Sequence, residues 1–243
     1  MSCLLFDLAI EPLAAKIRAS SIKGITIPGL RDRLVTKMFA DDTAMYLCEE
    51  DKYEEVHDVT LVWCRGARAK FNLTKTEVIP LGTVEYRERV VATRKLNEDS
   101  QPIPAGVKIA EDGESVRLLG AWIGNRTNDA APWERVLSTL DGVLDKWNTR
   151  NPSLHGRKLI LGMEVAGRTQ FLAKAQGMPE SILKRLQRMM AAFLWNGKAP
   201  TVAVETLHTP VSAGGLGLLN LKHRNDAIEL LWLKHYLDLS SSR

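Results

Sequence analysis

Two β-prone apolar runs, residues 34–39 and 43–48, flank the short segment Ala40-Asp41-Asp42, and this arrangement constrains the fold more than any other feature of the chain. Both runs are rich in β-branched, aromatic and aliphatic residues and contain neither Pro nor Gly, so each reads as a strand. The few residues between them leave room only for a tight antiparallel hairpin. Its tip lacks the Asn-Gly or Asp-Gly that such turns favour and carries two adjacent carboxylates instead. Two unit charges about 4 Å apart repel by about 4 kcal/mol at an effective dielectric near 20. A divalent cation turns that repulsion into attraction, and Mg²⁺ takes oxygen ligands. The plainer alternative is a solvated Asp pair, because Asp is at home in turns.

Around the hairpin the apolar spacing changes from strand-like to helical. A helix is expected over 3–20, and an amphipathic helix over 52–70 with Val56, Val59, Val62 and Trp63 on one side. A short strand is expected at 77–81, a short helix at 85–95 and a Pro-bearing loop at 97–106. Runs 107–110 and 116–123 are expected to pair across Glu111-Asp112-Gly113-Glu114. Residues 125–131 read as a polar linker. Helices are expected next at 133–148, 155–175 and 180–195, with Ser153 as an N-cap and Gly197 as a terminator. Trp133, Leu137, Leu140, Leu144 and Trp147 form one apolar stripe, and Ile182, Leu186, Met189, Met190 and Phe193 another; both read as core. A last helix is expected over 226–239, before the tail Ser240-Ser241-Ser242. The fold class is therefore α+β, with β-hairpins and packed helices first and an all-α bundle second.

Composition narrows the class further. A chain of 243 residues holds one or two domains. No apolar stretch approaches the about 18 residues that a membrane span needs, and no leader is expected, since Asp7 interrupts the first apolar run. Cys3, Cys48 and Cys64 form no C-x-x-C pair, which points to reduced intracellular thiols, in nucleus or cytoplasm. His57, His208, His223 and His235 lack the spacing of a metal-ligand pair. Charge is unevenly placed. Residues 1–132 hold 18 Lys/Arg against 20 Asp/Glu, and residues 133–243 hold 15 against 9. Within 151–198 the basic residues are Arg157, Lys158, Arg168, Lys174, Lys184, Arg185, Arg188 and Lys198, against Glu164 and Glu180. An acidic tip suits a metal and a basic helical segment suits phosphates, although most charge runs are simply solvated faces.

Phe39-Ala40-Asp41-Asp42 between two apolar strands resembles the catalytic hairpin of the reverse transcriptases of non-LTR (LINE-type) retrotransposons. Further segments resemble that family in the same order. Ser2-Cys3-Leu4-Leu5-Phe6 and Ala9-Ile10-Glu11-Pro12-Leu13 are similar to the helix before the hairpin. Lys23-Gly24-Ile25 and Pro28-Gly29 are similar to the connection into it. Phe71-Asn72-Leu73-Thr74-Lys75-Thr76-Glu77 resembles the next motif, with its lysine, and Leu118-Leu119-Gly120-Ala121-Trp122-Ile123-Gly124 the strand motif near the primer grip. Phe193-Leu194-Trp195-Asn196-Gly197-Lys198 and Gly214-Gly215-Leu216-Gly217-Leu218 resemble the region C-terminal to the polymerase core in the fungal-type members.

The resemblance implies a partial polymerase palm at 1–124, a helical thumb at 125–198 and a C-terminal extension at 199–243. It implies Asp41 as a direct metal ligand supported by Asp42, Lys75 as a cation near the leaving phosphates, and Phe39 packed under the hairpin. It places Trp122 near the primer end, and Arg157, Lys158, Lys174, Lys184, Arg185 and Arg188 on nucleic acid. The implied partners are an RNA template and a DNA primer, with no membrane; the implied cofactor is Mg²⁺ or Mn²⁺, bound only in the intact domain. The family's first palm aspartate and its Gln-Gly-Asp-Pro stretch have no counterpart here, and Met1 falls where that region would continue. The expectation is therefore a reverse-transcriptase fragment that is inactive alone and is rescued by the other half of the domain. The alternatives are a non-catalytic nucleic-acid-binding palm–thumb remnant and a helical interaction protein with an incidental acidic tip.

Overall fold

Alternation along the hairpin strands decides which side chains meet the core. The computed structural model describes residues 2–28 and 32–238. Met1, Gly29, Leu239, Ser240, Ser241 and Ser242 lie outside the described residues, as do the side chains of Ser2 and Cys3. Strands β1 (Thr36–Phe39) and β2 (Asp42–Met45) pair antiparallel, with Thr36 opposite Met45, Met38 opposite Thr43, and Phe39 opposite Asp42. Met38 and Met45 pack inward, so by the two-residue period of a strand Lys37 and Phe39 point outward. Phe39, expected beneath the hairpin, is therefore 69% exposed.

The chain divides into two compact units, residues 1–119 with 123–127 and residues 120–122 with 128–243. In the first, helix α1 (Ser2–Arg18) buries Ile10, Leu13, Ala14 and Ile17, which share one helical face. Together with Ile22 and Val35 they form a core onto which Met38, Met45, Val56, Val59, Trp63 and Phe71 pack. Helix α2 (Tyr53–Ala67) supplies Val56, Val59 and Trp63. Val62, expected on the same side, is exposed because it lies about a third of a turn away from Val56, and Trp63 does the packing. Helix α3 (Val84–Thr93) is capped by the Thr83 hydroxyl, which accepts the Tyr86 N–H at 3.3 Å. Its Val90 joins Ile103, Val107 and Ile109 in a second small core. The Arg94 guanidinium donates to the carbonyls of Ile103, Pro104 and Val107, which ties the Pro-bearing loop to the helix end.

Strand pairing departs from expectation at one place. Strand β3 (Glu77–Val78) pairs in parallel with β4 (Lys108–Ile109) across helix α3, so the run 107–110 does not pair with 116–123. The run 116–123 breaks into β5 (Val116–Leu118) and β6 (Ala121–Ile123). Leu119 and Gly120 both have positive φ, 49° and 86°, the signature of a two-residue hairpin turn. That turn occupies the strand on which pairing with 107–110 would depend.

The second unit is helical: α4 (Ala131–Asn148), α5 (Leu154–Leu161), α6 (Gly167–Gln176), α7 (Glu180–Leu194), α8 (Val204–His208) and α9 (Leu221–Leu237). Both expected stripes are core. Trp133, Leu137, Leu140 and Leu144 of α4 and Ile182, Leu186, Met190 and Phe193 of α7 are buried together. Leu207, Leu218 and Leu221 from the C-terminal segment enter the same core. Ser153 caps α5, its hydroxyl accepting the Gly156 N–H at 3.2 Å. The expected single helix 155–175 is interrupted by a π-helical lap at Gly162–Ala166. Around it the Thr169 hydroxyl donates to the Val165 carbonyl at 2.6 Å and accepts from Arg224 Nη1 at 2.8 Å. The last helix starts at Leu221, five residues before the expected start, because the Asn220 side chain caps it by accepting the His223 N–H.

Candidate functional site

The hairpin tip is a two-residue turn, Ala40-Asp41, closed by the Phe39–Asp42 pair. Ala40 has φ 49°, in the left-handed region where a side chain costs about 1–2 kcal/mol. Strain of this kind is retained where the surroundings over-determine it, and it clusters at functional positions. Asp41 and Asp42 are both exposed, and neither side chain makes a hydrogen bond or ion pair among the described residues. The register puts Asp42 on the outer face with Lys37 and Phe39. Beside it, the buried Thr43 hydroxyl has no hydrogen-bond partner among the described residues.

The base of the hairpin is fixed by a residue that no sequence motif marks. Asp51 is 3% exposed, and its carboxylate accepts backbone N–H groups from Lys23 at 2.6 Å, Gly24 at 2.9 Å and Cys48 at 2.8 Å. Burial pushes its pKa up, but the backbone donors of Lys23, Cys48 and Gly24 outweigh this and hold it below the usual aspartate value. Gly24 has φ +64°, and a Cβ there would lie 2.4 Å from the Leu34 carbonyl oxygen. The Asn97 amide donates to the carbonyls of Glu49 and Asp51 and closes the same corner.

Lys75 stands at the end of a short 3₁₀ turn, Leu73–Lys75. Asn72 builds that turn, its side-chain oxygen accepting the Thr74 N–H at 3.0 Å and the Thr74 hydroxyl at 2.7 Å. Phe71 anchors the turn to the hairpin's own core and meets Trp63 with ring centroids 6.4 Å apart. Lys75 is thus exposed on a segment that shares one core with the hairpin, and its ammonium is unpaired among the described residues.

The basic residues of the helical unit divide into three sets. Arg157 is a correction. It is 5% exposed, donates to the carbonyls of Pro152 and Phe193 and to Asn148 Oδ1, and lies over the Phe193 ring at 4.9 Å. Its guanidinium is consumed in joining α5 to the end of α7, so it presents nothing to a phosphate. Lys184 and Arg185 are exposed but paired, with Glu180 and Glu134. Lys158, Lys174 and Arg188 carry no ion-pair partner among the described residues. Trp122 is partly exposed, and its backbone N–H donates to Gln176 Oε1 at 2.9 Å, at the end of α6.

Mg²⁺ is usually held by one or two carboxylates together with substrate phosphates and water. Asp41 and Asp42 fit that requirement for one ion, as hard, exposed and unneutralised oxygen donors. No group of three His, Cys, Asp or Glu side chains that could hold a metal exists among the described residues. No described helix is long and apolar enough to cross a membrane.

No protein-family model matches the chain. The chain is similar to the "Transposon TX1 uncharacterized 149 kDa protein" of Xenopus laevis, with 23% identity over 243 residues. The match takes in 98% of this chain and 17% of that protein's length.

Proposed function

We propose that this chain is the palm-and-thumb part of an RNA-directed DNA polymerase of a LINE-type retrotransposon. The observation that carries the reading is the strained turn at Ala40 that holds the consecutive residues Asp41 and Asp42, both exposed and without a neutralising partner among the described residues. Similarity to a transposon protein supports it from a separate direction.

In this reading Asp41 and Asp42 hold Mg²⁺ or Mn²⁺. The ion, when bound, lowers the pKa of a primer hydroxyl and stabilises charge on a leaving pyrophosphate. Lys75, rigidly presented by Asn72 and Phe71, supplies a cation to the leaving phosphates and a proton to the departing oxygen. Lys158, Lys174 and Arg188 hold the nucleic-acid backbone by charge. Phosphoryl transfer of this type uses two ions about 3.5 to 4 Å apart, and two adjacent carboxylates hold only one. A further carboxylate must join them, so the 243-residue polypeptide does not extend primers alone.

Primer extension on an RNA template, with Mg²⁺ and deoxynucleotides, tests this. The expected result is no extension by the polypeptide alone and extension when a segment bearing the first palm aspartate is supplied in trans. Asp41→Asn abolishes it. Extension that survives Asp41→Asn overturns the assignment. A second reading, a remnant that binds nucleic acid without catalysis, is favoured by the lack of a third metal-binding side chain near the pair among the described residues. It predicts binding without extension in the complemented reaction.

A further inference from the structure

Helices α6 and α9 carry exposed aromatic rings that none of the three cores explains. Phe171 is 57% exposed, and its ring lies over Gly120, where a Cβ would come within 3.0 Å of it. Trp232 of α9 is 54% exposed, and its indole N–H donates to the Lys174 carbonyl of α6 at 2.8 Å. Tyr236, 77% exposed, stands four residues further along α9 and so on the same side as Trp232. Trp122 reaches the same helix end through Gln176. Lys174, three residues beyond Phe171 on α6 and the owner of the carbonyl that Trp232 meets, is exposed and unpaired among the described residues, and α6 contains no acidic residue.

The indole hydrogen bond is informative. With its only polar atom satisfied inside the protein, Trp232 has only its flat π face to offer. Flat faces around an unpaired cation suit stacked bases on a phosphate chain, because every base has a π face and aromatic stacking tolerates sequence. An open cavity of about 490 Å³ adjoins the end of α6, with Gln176, Ser181 and the acidic residues Asp129 and Glu229 in its lining. Carboxylates repel phosphate but accept N–H donors, so this cavity fits a base edge that bears an amino group.

We propose that Phe171, Trp232 and Tyr236, with Lys174, form a platform for unpaired bases of single-stranded nucleic acid, and that the adjoining cavity takes the amino edge of one base. The platform rests on the nucleic-acid reading above but not on the metal pair. On α9 the exposed Leu230 and Leu237 lie about 160° and 140° around the helix from Trp232, whereas the exposed Leu233 borders Tyr236 and extends the platform's apolar edge.

The test is fluorescence anisotropy of labelled twelve-nucleotide oligo(dC) and oligo(dT), in EDTA, so that failure here leaves the Asp41–Asp42 assignment untouched. Trp232→Ala and Phe171→Ala each weaken oligo(dC) binding on the order of tenfold. Trp232→Phe, which keeps a flat ring, stays close to the parent. Lys174→Gln lowers the salt slope by about 0.7. Oligo(dC) binds more tightly than oligo(dT). Parent-like binding by both alanine variants overturns the platform, and equal affinity for the two oligonucleotides removes the cavity from it. A parent dimer that Trp232→Ala dissociates, with oligonucleotide binding unchanged, assigns the surface to a second copy and also overturns the proposal.

Discussion

The carboxylate of Asp51 accepts the Gly24 backbone N–H at 2.9 Å, and so fastens the turn that enters the hairpin to the residues that leave it. The same carboxylate takes the Lys23 and Cys48 N–H groups. Its lowered pKa sets the sign of the pH dependence. A carboxylate depressed in the folded state contributes stability above its unfolded pKa of about 3.9 and loses that contribution as pH falls through the folded value. Asp51→Asn therefore destabilises the first unit at neutral pH by about 1–3 kcal/mol. It also flattens the loss of stability between neutral and acid pH. Urea melts at pH 7 and below pH 4 measure both.

Gly24→Ala forces a Cβ against the Leu34 carbonyl at a left-handed φ. The Ile25–Leu34 bridge, whose hydrogen bonds are 2.9 and 2.8 Å, is what gives way. A loss of about 2 kcal/mol or more is expected from conformational strain and the broken bridge together, read as a lower denaturant midpoint.

Ala40→Gly acts in the opposite direction. Glycine removes the left-handed penalty at the tip while costing backbone entropy of about 0.5–1 kcal/mol, so the net gain is about 0.5–1 kcal/mol. The urea midpoint rises with an unchanged slope. In the complemented primer-extension reaction the same variant keeps parent-like activity, because glycine adopts the same left-handed turn without the penalty and leaves Asp41 where it was.

Arg157 and Arg188 separate folding from binding. Arg157→Ala leaves the carbonyls of Pro152 and Phe193 without their donor and costs about 3 kcal/mol. Arg188→Ala changes stability by less than about 0.5 kcal/mol, and lowers the salt slope of duplex binding by about 0.9. Thermal melts and a salt titration distinguish them.

The hairpin was legible in the sequence because two β-prone apolar runs without Pro or Gly around a short polar tip leave one solution, and both helical stripes were legible because the apolar residues around Trp133 and Phe193 recur at helical spacing. Which face Phe39 takes was not, since a register shift of one residue inverts every side chain and both flanking runs are apolar. Arg157 looked like its neighbours in a basic run; only the tertiary fold brings the Phe193 carbonyl to it from 36 residues away. Asp51 was hidden in the same way, because its partners at 23 and 24 are distant in sequence. The parallel β3–β4 pair joins segments some thirty residues apart, a distance over which local pattern carries no signal. Phe171 and Trp232 carried no such signal, because the apolar residues of α6 and α9 are spread around the helix and mark no inner face.

The five-residue lap between α5 and α6 works as a phase shifter. Ordinary helix takes about 3.6 residues per revolution, so the surplus residue sets the compass bearing of every side chain downstream. Excising Met163, itself exposed, would straighten the path into one regular rod and swing Phe171 and Lys174 by about 100°. Chain length at this one spot encodes direction, and a deletion there would scramble the surface of α6 more thoroughly than any single replacement on it.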